Sequence, residues 1–143
     1  MTYMTLEQAN QIIGAAILKG GELGLRPLSV AVLDAGGHLL AFQRQDGAST
    51  LRPQLAIGKA SGALGLGISS RGIAEMAAER PGFVGSLGAI APHGMVPAAG
   101  GLIIVDGEQR PIGAVGVTGD SSDNDEACAA AAISAVGLMA QRA

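Results

Sequence analysis

Apolar residues at Leu6, Ala9, Ile12, Ile13, Ala16 and Ile17 recur with the spacing of one helical face. Thr5 ahead of them and Gln8 three residues on form a capping-box pattern. Gly20, Gly21 and Gly24, with Pro27 beyond, predict where this helix ends. The period then changes. Residues 28–34 and 39–45 are rich in apolar and β-branched side chains, and Ala35-Gly36-Gly37-His38 between them is turn chemistry, so the pair predicts a β-hairpin. Thr50 is placed to cap a helix over 51–66, with Pro53 tolerated in its first turn and Leu55, Lys59, Gly62 and Leu66 along one side. Ser69 or Ser70 caps a shorter helix to Glu79, which Pro81-Gly82 is expected to stop.

Residues 81–100 are interrupted by Gly82, Gly85, Gly88, Pro92, Gly94 and Pro97. A short strand is expected around 87–91, within a segment long enough to be functional or to pack on a partner subunit. Residues 101–106 and 111–118 predict a second hairpin across Gly107-Glu108-Gln109-Arg110. Ser122 with Asp125 fits a capping box for a last helix to about Gln141. Its core, 127–132, is nearly all alanine, which favours helix and leaves a small face suited to close packing. The order α, β-hairpin, α, α, β, β-hairpin, α predicts one α+β domain over residues 1–143 with an antiparallel sheet.

Composition narrows the function. Hydrophobic residues make up 48% of the chain and charged residues 15%, which excludes a disordered chain. The net charge of -3 and an aromatic content limited to Tyr3, Phe42 and Phe83 argue against nucleic-acid partners. One cysteine excludes a disulfide scaffold. The longest apolar run, residues 127–140, is too short to span a bilayer, and Met1-Thr2-Tyr3-Met4 lacks a basic leader, so a cytoplasmic location away from membranes is expected. Charge is uneven. Residues 1–119 balance 8 acids with 8 bases, and the whole excess lies with Asp120, Asp123, Asp125 and Glu126 against Arg142.

That acidic cluster suits either a divalent cation or the positive end of a helix, and the missing EF-hand glycine and terminal glutamate favour the helix end. Lys59, among Gly58, Ala60, Ser61 and Gly62, can act as a base or hold an anion if buried, or snorkel if not. His38 sits at a turn. His93, in Ala91-Pro92-His93-Gly94-Met95, is the weak candidate for a metal or haem iron. Cys128, beside acids in an alanine run, reads as a buried inert thiol. Gly113-Ala114-Val115-Gly116-Val117-Thr118-Gly119 lies in a strand and is no dinucleotide fingerprint.

In order and spacing these segments resemble the small haem-binding and haem-degrading family that includes GlcG, HbpS and the C-terminal domain of PduO. The resemblance runs through the opening Met4-Thr5-Leu6-Glu7-Gln8-Ala9, the first hairpin from Ser29 to Leu39, and Arg44-Gln45-Asp46-Gly47-Ala48. It continues through Ile57-Gly58-Lys59-Ala60, then Gly113 to Gly119, and Asp125-Glu126-Ala127-Cys128-Ala129. Departures stand at Ile103, where the family has proline, at Gly62 in place of threonine, and at Thr118 in place of serine. The resemblance implies a profilin-like five-stranded antiparallel sheet flanked by helices and a higher homo-oligomer. It also implies a cleft near Lys59, Gly100-Gly101 and the Asp125-Glu126 helix start, and haem as a cofactor or ligand.

Three functional readings follow from these residues. In the favoured one, a small-ligand or tetrapyrrole-binding accessory protein of a catabolic or haem- and iron-related pathway uses Arg44, Lys59, Gly100, Gly101 and Asp125. Arg71 also meets ligand carboxylates, and His93 or Met95 approaches a metal. In the second, a lyase or isomerase acts on a small oxygenated acid, with Lys59 as cation or base and Asp125 or Glu126 as general acid or base. In the third, the chain is an oligomeric scaffold. Three aromatics are few for the walls of a haem pocket.

Overall fold

The computed structural model describes residues 3–142; Met1 and Thr2, on which the reading of the leader partly rests, and Ala143 lie outside the described residues. The chain runs α1 (Leu6–Glu22), β1 (Ser29–Asp34), β2 (Leu39–Arg44), α2 (Arg52–Leu66), α3 (Ser70–Glu79), α4 (Pro81–Leu87), β3 (Gly101–Val105), β4 (Pro111–Thr118), α5 (Ser122–Ala135) and β5 (Met139–Ala140). The strands form an antiparallel sheet in the order β2-β1-β4-β3-β5, as an α+β fold requires. No helix among the described residues is long and apolar enough to cross a membrane.

The alternation of β1 and β4 divides the core between two faces. Val30, Val32, Val115 and Val117 point to the layer of α1 and α5, where Ile12, Ile13, Ala129 and Ile133 complete the larger cluster. Leu33 and Ala114 point the other way, onto Ala60 of α2. At about 1.5–3 kcal/mol per fully buried large side chain, the α1–α5 side carries most of the hydrophobic stabilisation. The α2 side is held differently. Ala56, Gly58, Ala60, Gly62 and Ala63 are its buried small residues, and the helix lies against sheet backbone. A Cβ at Gly116 would run into the carbonyl oxygen of Ala56, and one at Gly101 into the carbonyl of Lys59. α2 thus lies close on the sheet, while the alanine-rich last helix packs Ala129 and Ala132 closely into the cluster shared with α1, as expected.

The Thr5–Gln8 capping box and both hairpins form as the pattern predicts. Several boundaries differ. α1 continues through Gly20 and Gly21 to Glu22, and the chain turns at Gly24. Thr50 does not cap α2: the cap position is Leu51, with no side-chain bond, and the Arg52 N–H turns back to the Ser49 carbonyl. Ser69 caps α3. Pro81 opens α4 instead of stopping the chain, since proline fits the first turn, where its missing N–H is not needed.

No strand forms over 87–91, because Ile90 and Ala91 return their N–H groups to Leu87 in turns that extend α4. The fifth strand is β5, on the free edge of β3. The last helix is capped by Ser121, one residue before the expected Ser122, and Ser121 accepts from the Asn124 N–H. α5 stops at Ala135 and not near Gln141. Gly137 takes a left-handed conformation, and Leu138 closes back on the Ile133 carbonyl, which frees Met139 and Ala140 to join the sheet.

Candidate functional site

Lys59 stands in the middle of α2, on the face that meets the sheet, and is 3% exposed. Its Nζ donates to the Val117 carbonyl at 3.0 Å and to Asp125 Oδ2 at 3.2 Å. Asp125 is equally buried, and its Oδ1 accepts the Asp120 N–H at 2.9 Å. Gly100 makes room for the amine: its φ is +133°, and a Cβ there would lie 2.9 Å from Nζ. Beside it, the Gly101 N–H donates to the buried Ser70 Oγ at 2.7 Å. Burial pushes the Lys59 pKa down; the Asp125 carboxylate opposes this, and the charge of Arg52 adds to it.

Four of the sequence candidates, Lys59, Gly100, Gly101 and Asp125, are thus brought together across 66 residues of chain. They meet as a sealed ion pair between α2, β3–β4 and the start of α5. An acid–base dyad has these ingredients, but here each charged atom is already taken by the other or by backbone.

The opening face lies next to this pair, at Arg71 of α3. Its guanidinium grips the first turn of α5, with Nε at 3.0 Å from Glu126 Oε1 and Nη2 at 2.6 Å from Asp123 Oδ1. These two carboxylates raise its pKa further. On one side of Arg71 is a groove of 530 Å³ with Ile68, Leu102 and Ala130 as apolar lining and Glu75, Glu126 and Arg142 as charged lining. On the other side is a shallower hollow of 410 Å³ that reaches Pro97, Ala99 and Ser122.

The acidic cluster is distributed among bases of the chain itself. Asp125 pairs with Lys59, Asp123 and Glu126 with Arg71, and Asp120 with Arg26. The Asn124 amide and the Ser121 and Arg26 N–H groups hold the Asp120 carboxyl well below the usual carboxylate range. Among the described residues no group of three or more His, Cys, Asp or Glu is placed to hold a metal ion.

The other candidates lie apart. Arg44 is exposed at the end of β2, beside Leu25, Pro27 and Asp46. His93 is exposed in the segment after α4, and Met95 packs its sulfur toward Gly62. His38 faces Asp34 across its own turn at 3.3 Å. Cys128 is buried, and burial raises its thiol pKa, which keeps it protonated and inert. Sequence reasoning named Ser70 only as a candidate cap and Thr118 only as a departure from the family, and did not single out Arg52. The Arg52 Nη1 donates to Thr118 Oγ1 at 2.8 Å, a contact between positions 66 apart that no local pattern announces.

Comparison with known proteins extends this geometry. The family model described as haem degrading protein HbpS-like matches residues 4–134. Among solved structures, HbpS is similar with 33% identity and a TM-score of 0.82, over 96% of this chain and 92% of that one. Klebsiella pneumoniae protein ORFY is similar with 28% identity and a TM-score of 0.84, over 97% and 94%. The PduOC–haem complex shares the fold, with 22% identity and a TM-score of 0.86, over 99% and 100%. No curated protein matches the sequence significantly.

Proposed function

The chain belongs to the HbpS-like haem-degrading family, and on that premise we propose that it is an accessory protein that binds a haem-class tetrapyrrole in the groove beside Arg71. The groove itself carries the reading. Its 530 Å³ falls within the range of about 300–1,000 Å³ typical of small-molecule sites. Ile68, Leu102 and Ala130 offer an apolar surface to a flat macrocycle, and Arg71 and Arg142 offer guanidiniums to its carboxylates. A ligand carboxylate competes there with Glu126 and Asp123 for Arg71, so binding proceeds by exchange of ion pairs.

The donor set decides how far this goes. Glu75, Glu126 and Ser69 bring only oxygen to the groove. The imidazoles of His38 and His93 and the thiol of Cys128 are not among its lining. The residues present fit the macrocycle and its carboxylates, and they do not fit axial coordination of iron by imidazole or thiolate. The proposal is therefore recognition through the ligand's periphery, with no chemistry assigned at iron.

Absorbance titration with haemin and, separately, with metal-free protoporphyrin IX tests this. Both should give saturable spectral shifts with dissociation constants within about threefold, and Arg71→Gln should weaken both about tenfold, the equivalent of about 1.4 kcal/mol. A haemin preference above tenfold that His93→Ala abolishes would overturn the placing, and no saturable shift for either would overturn the ligand class. Self-association belongs to the same proposal, with exposed Leu51 and Ile90 as apolar surface for it. Light scattering that finds only a monomer refutes that part.

A further inference from the structure

At the end of the sheet nearest the start of α2, three polar residues form a row across three strands. Ser29 of β1 is the register partner of Arg44 on β2 and of Thr118 on β4, and directly opposed residues of antiparallel neighbours share a face. That face is the α2 side, because Leu33 and Ala114, four residues along from Ser29 and Thr118, pack on Ala60. Arg52, the first residue of α2, reaches the row and donates to Thr118 Oγ1.

Two features of the row have no counterpart within the chain. Arg44 and Arg52 form no ion pair with a carboxylate among the described residues, and the first turn of α2 has neither an acidic residue nor a side-chain cap. The Ser29 hydroxyl is fully buried and has no hydrogen-bond partner, the single such side-chain atom among the described residues. Buried polar atoms are nearly always paired, and an exception calls for a missing partner. A free hydroxyl and two guanidiniums complement an oxyanion.

We propose that this end of the sheet is an oxyanion site, in which a carboxylate or phosphate group is held by Arg44, Arg52 and the hydroxyl of Ser29. Thr118 Oγ1 positions Arg52 over it. The site is distinct from the groove beside Arg71 and does not rest on the tetrapyrrole reading.

The test is calorimetric and thermal titration of the whole chain with inorganic phosphate and, separately, succinate, against sodium chloride of equal ionic strength. At least one should bind saturably with a dissociation constant below about 1 mM. Phosphate alone points to a phosphoryl source, and succinate alone to a carboxylate one. Arg44→Gln and Arg52→Gln should each weaken binding tenfold or more, and Ser29→Ala at least threefold. Ser29→Ala is the discriminating variant. Its hydroxyl holds nothing in the anion-free chain, so the Tm without anion should be unchanged or raised, while the anion-dependent rise shrinks. If Arg52→Gln fails to fold, Arg44→Gln decides, since the Arg44 side chain is exposed and makes no hydrogen bond among the described residues. Binding no different from sodium chloride, or wild-type binding by Ser29→Ala, overturns the proposal.

Discussion

Replacing Lys59 by methionine keeps an unbranched chain in the slot between α2 and the sheet and removes the ammonium. The pair it breaks has side chains 4% and 2% exposed, with Nζ 3.2 Å from Asp125 Oδ2. Removing one partner strands the Asp125 carboxylate in the interior, which costs about 3–5 kcal/mol. Loss of the donor to the Val117 carbonyl adds about 1 kcal/mol. Against a total stability of about 5–15 kcal/mol, that is about a quarter or more of what holds the fold. Asp125→Asn strands the ammonium in turn, although its remaining oxygen can still accept the Asp120 N–H, so its cost should also be about 3–5 kcal/mol. The double variant contains neither charge and should fall within about 2 kcal/mol of wild type. Urea unfolding followed by circular dichroism measures all four corners of the cycle, with an unchanged m-value as the check on two-state behaviour. The expected coupling is at least about 5 kcal/mol. If the single costs add to within about 0.5 kcal/mol of the double, the two residues act independently and the argument fails.

Other outcomes follow from the same structure. Burial lowers the Lys59 pKa below the 10.5 of a free lysine, so just under that pH the native chain holds fewer protons there than the unfolded chain. The stability difference between wild type and Lys59→Met should therefore grow as the pH rises toward 10.5, and a shrinking difference contradicts the assigned direction. Asp120 has its pKa held below 3.8, so its contribution is full above that value and is lost as the pH falls. The stability difference between wild type and Asp120→Ala should shrink progressively as the pH falls below 3.8, and a difference that stays constant would count against its hydrogen bonds. Gly116→Ala drives a methyl into the Ala56 carbonyl and should cost about 3 kcal/mol or more, read as a lower Tm; a variant as stable as wild type would mean α2 can lift from the sheet freely.

Much of the fold was legible because it is written locally. The Thr5–Gln8 box, the glycine turn at 35–38 and the apolar strands each carry their signal within ten residues. Misreadings came where neighbouring residues offered equal alternatives or where tertiary contact decided. Ser121 and Ser122 are equivalent caps until the Asn124 N–H selects one. Leu138 and Met139 continue an apolar run, yet Gly137 reverses the chain and β3 recruits Met139 and Ala140. Leu87 and Ile90 look like strand residues, but Pro81 has already started a helical turn. The buried Lys59–Asp125 pair was legible in its members and not in its state. Lys59 among small residues and an acidic helix start were visible; that they close on each other depends on strand order. Ser29 at the head of a strand gives no local warning that its hydroxyl will be left without a partner.

The separation of Lys59 from Asp125 has a consequence for how the protein is made. The chain emerges from its N-terminus during synthesis, whereas a domain folds as a unit. The β1–β2 hairpin and α2 are out well before the aspartate that neutralises the lysine. Until then a bare ammonium sits on the face that must press against Gly101 and Gly116, and an unpaired charge keeps its water. The seam between α2 and the sheet can dry only once α5 arrives. A nascent or truncated chain lacking α5 should therefore hold α2 loosely over a wet seam, and should offer that helix first to proteases and chaperones.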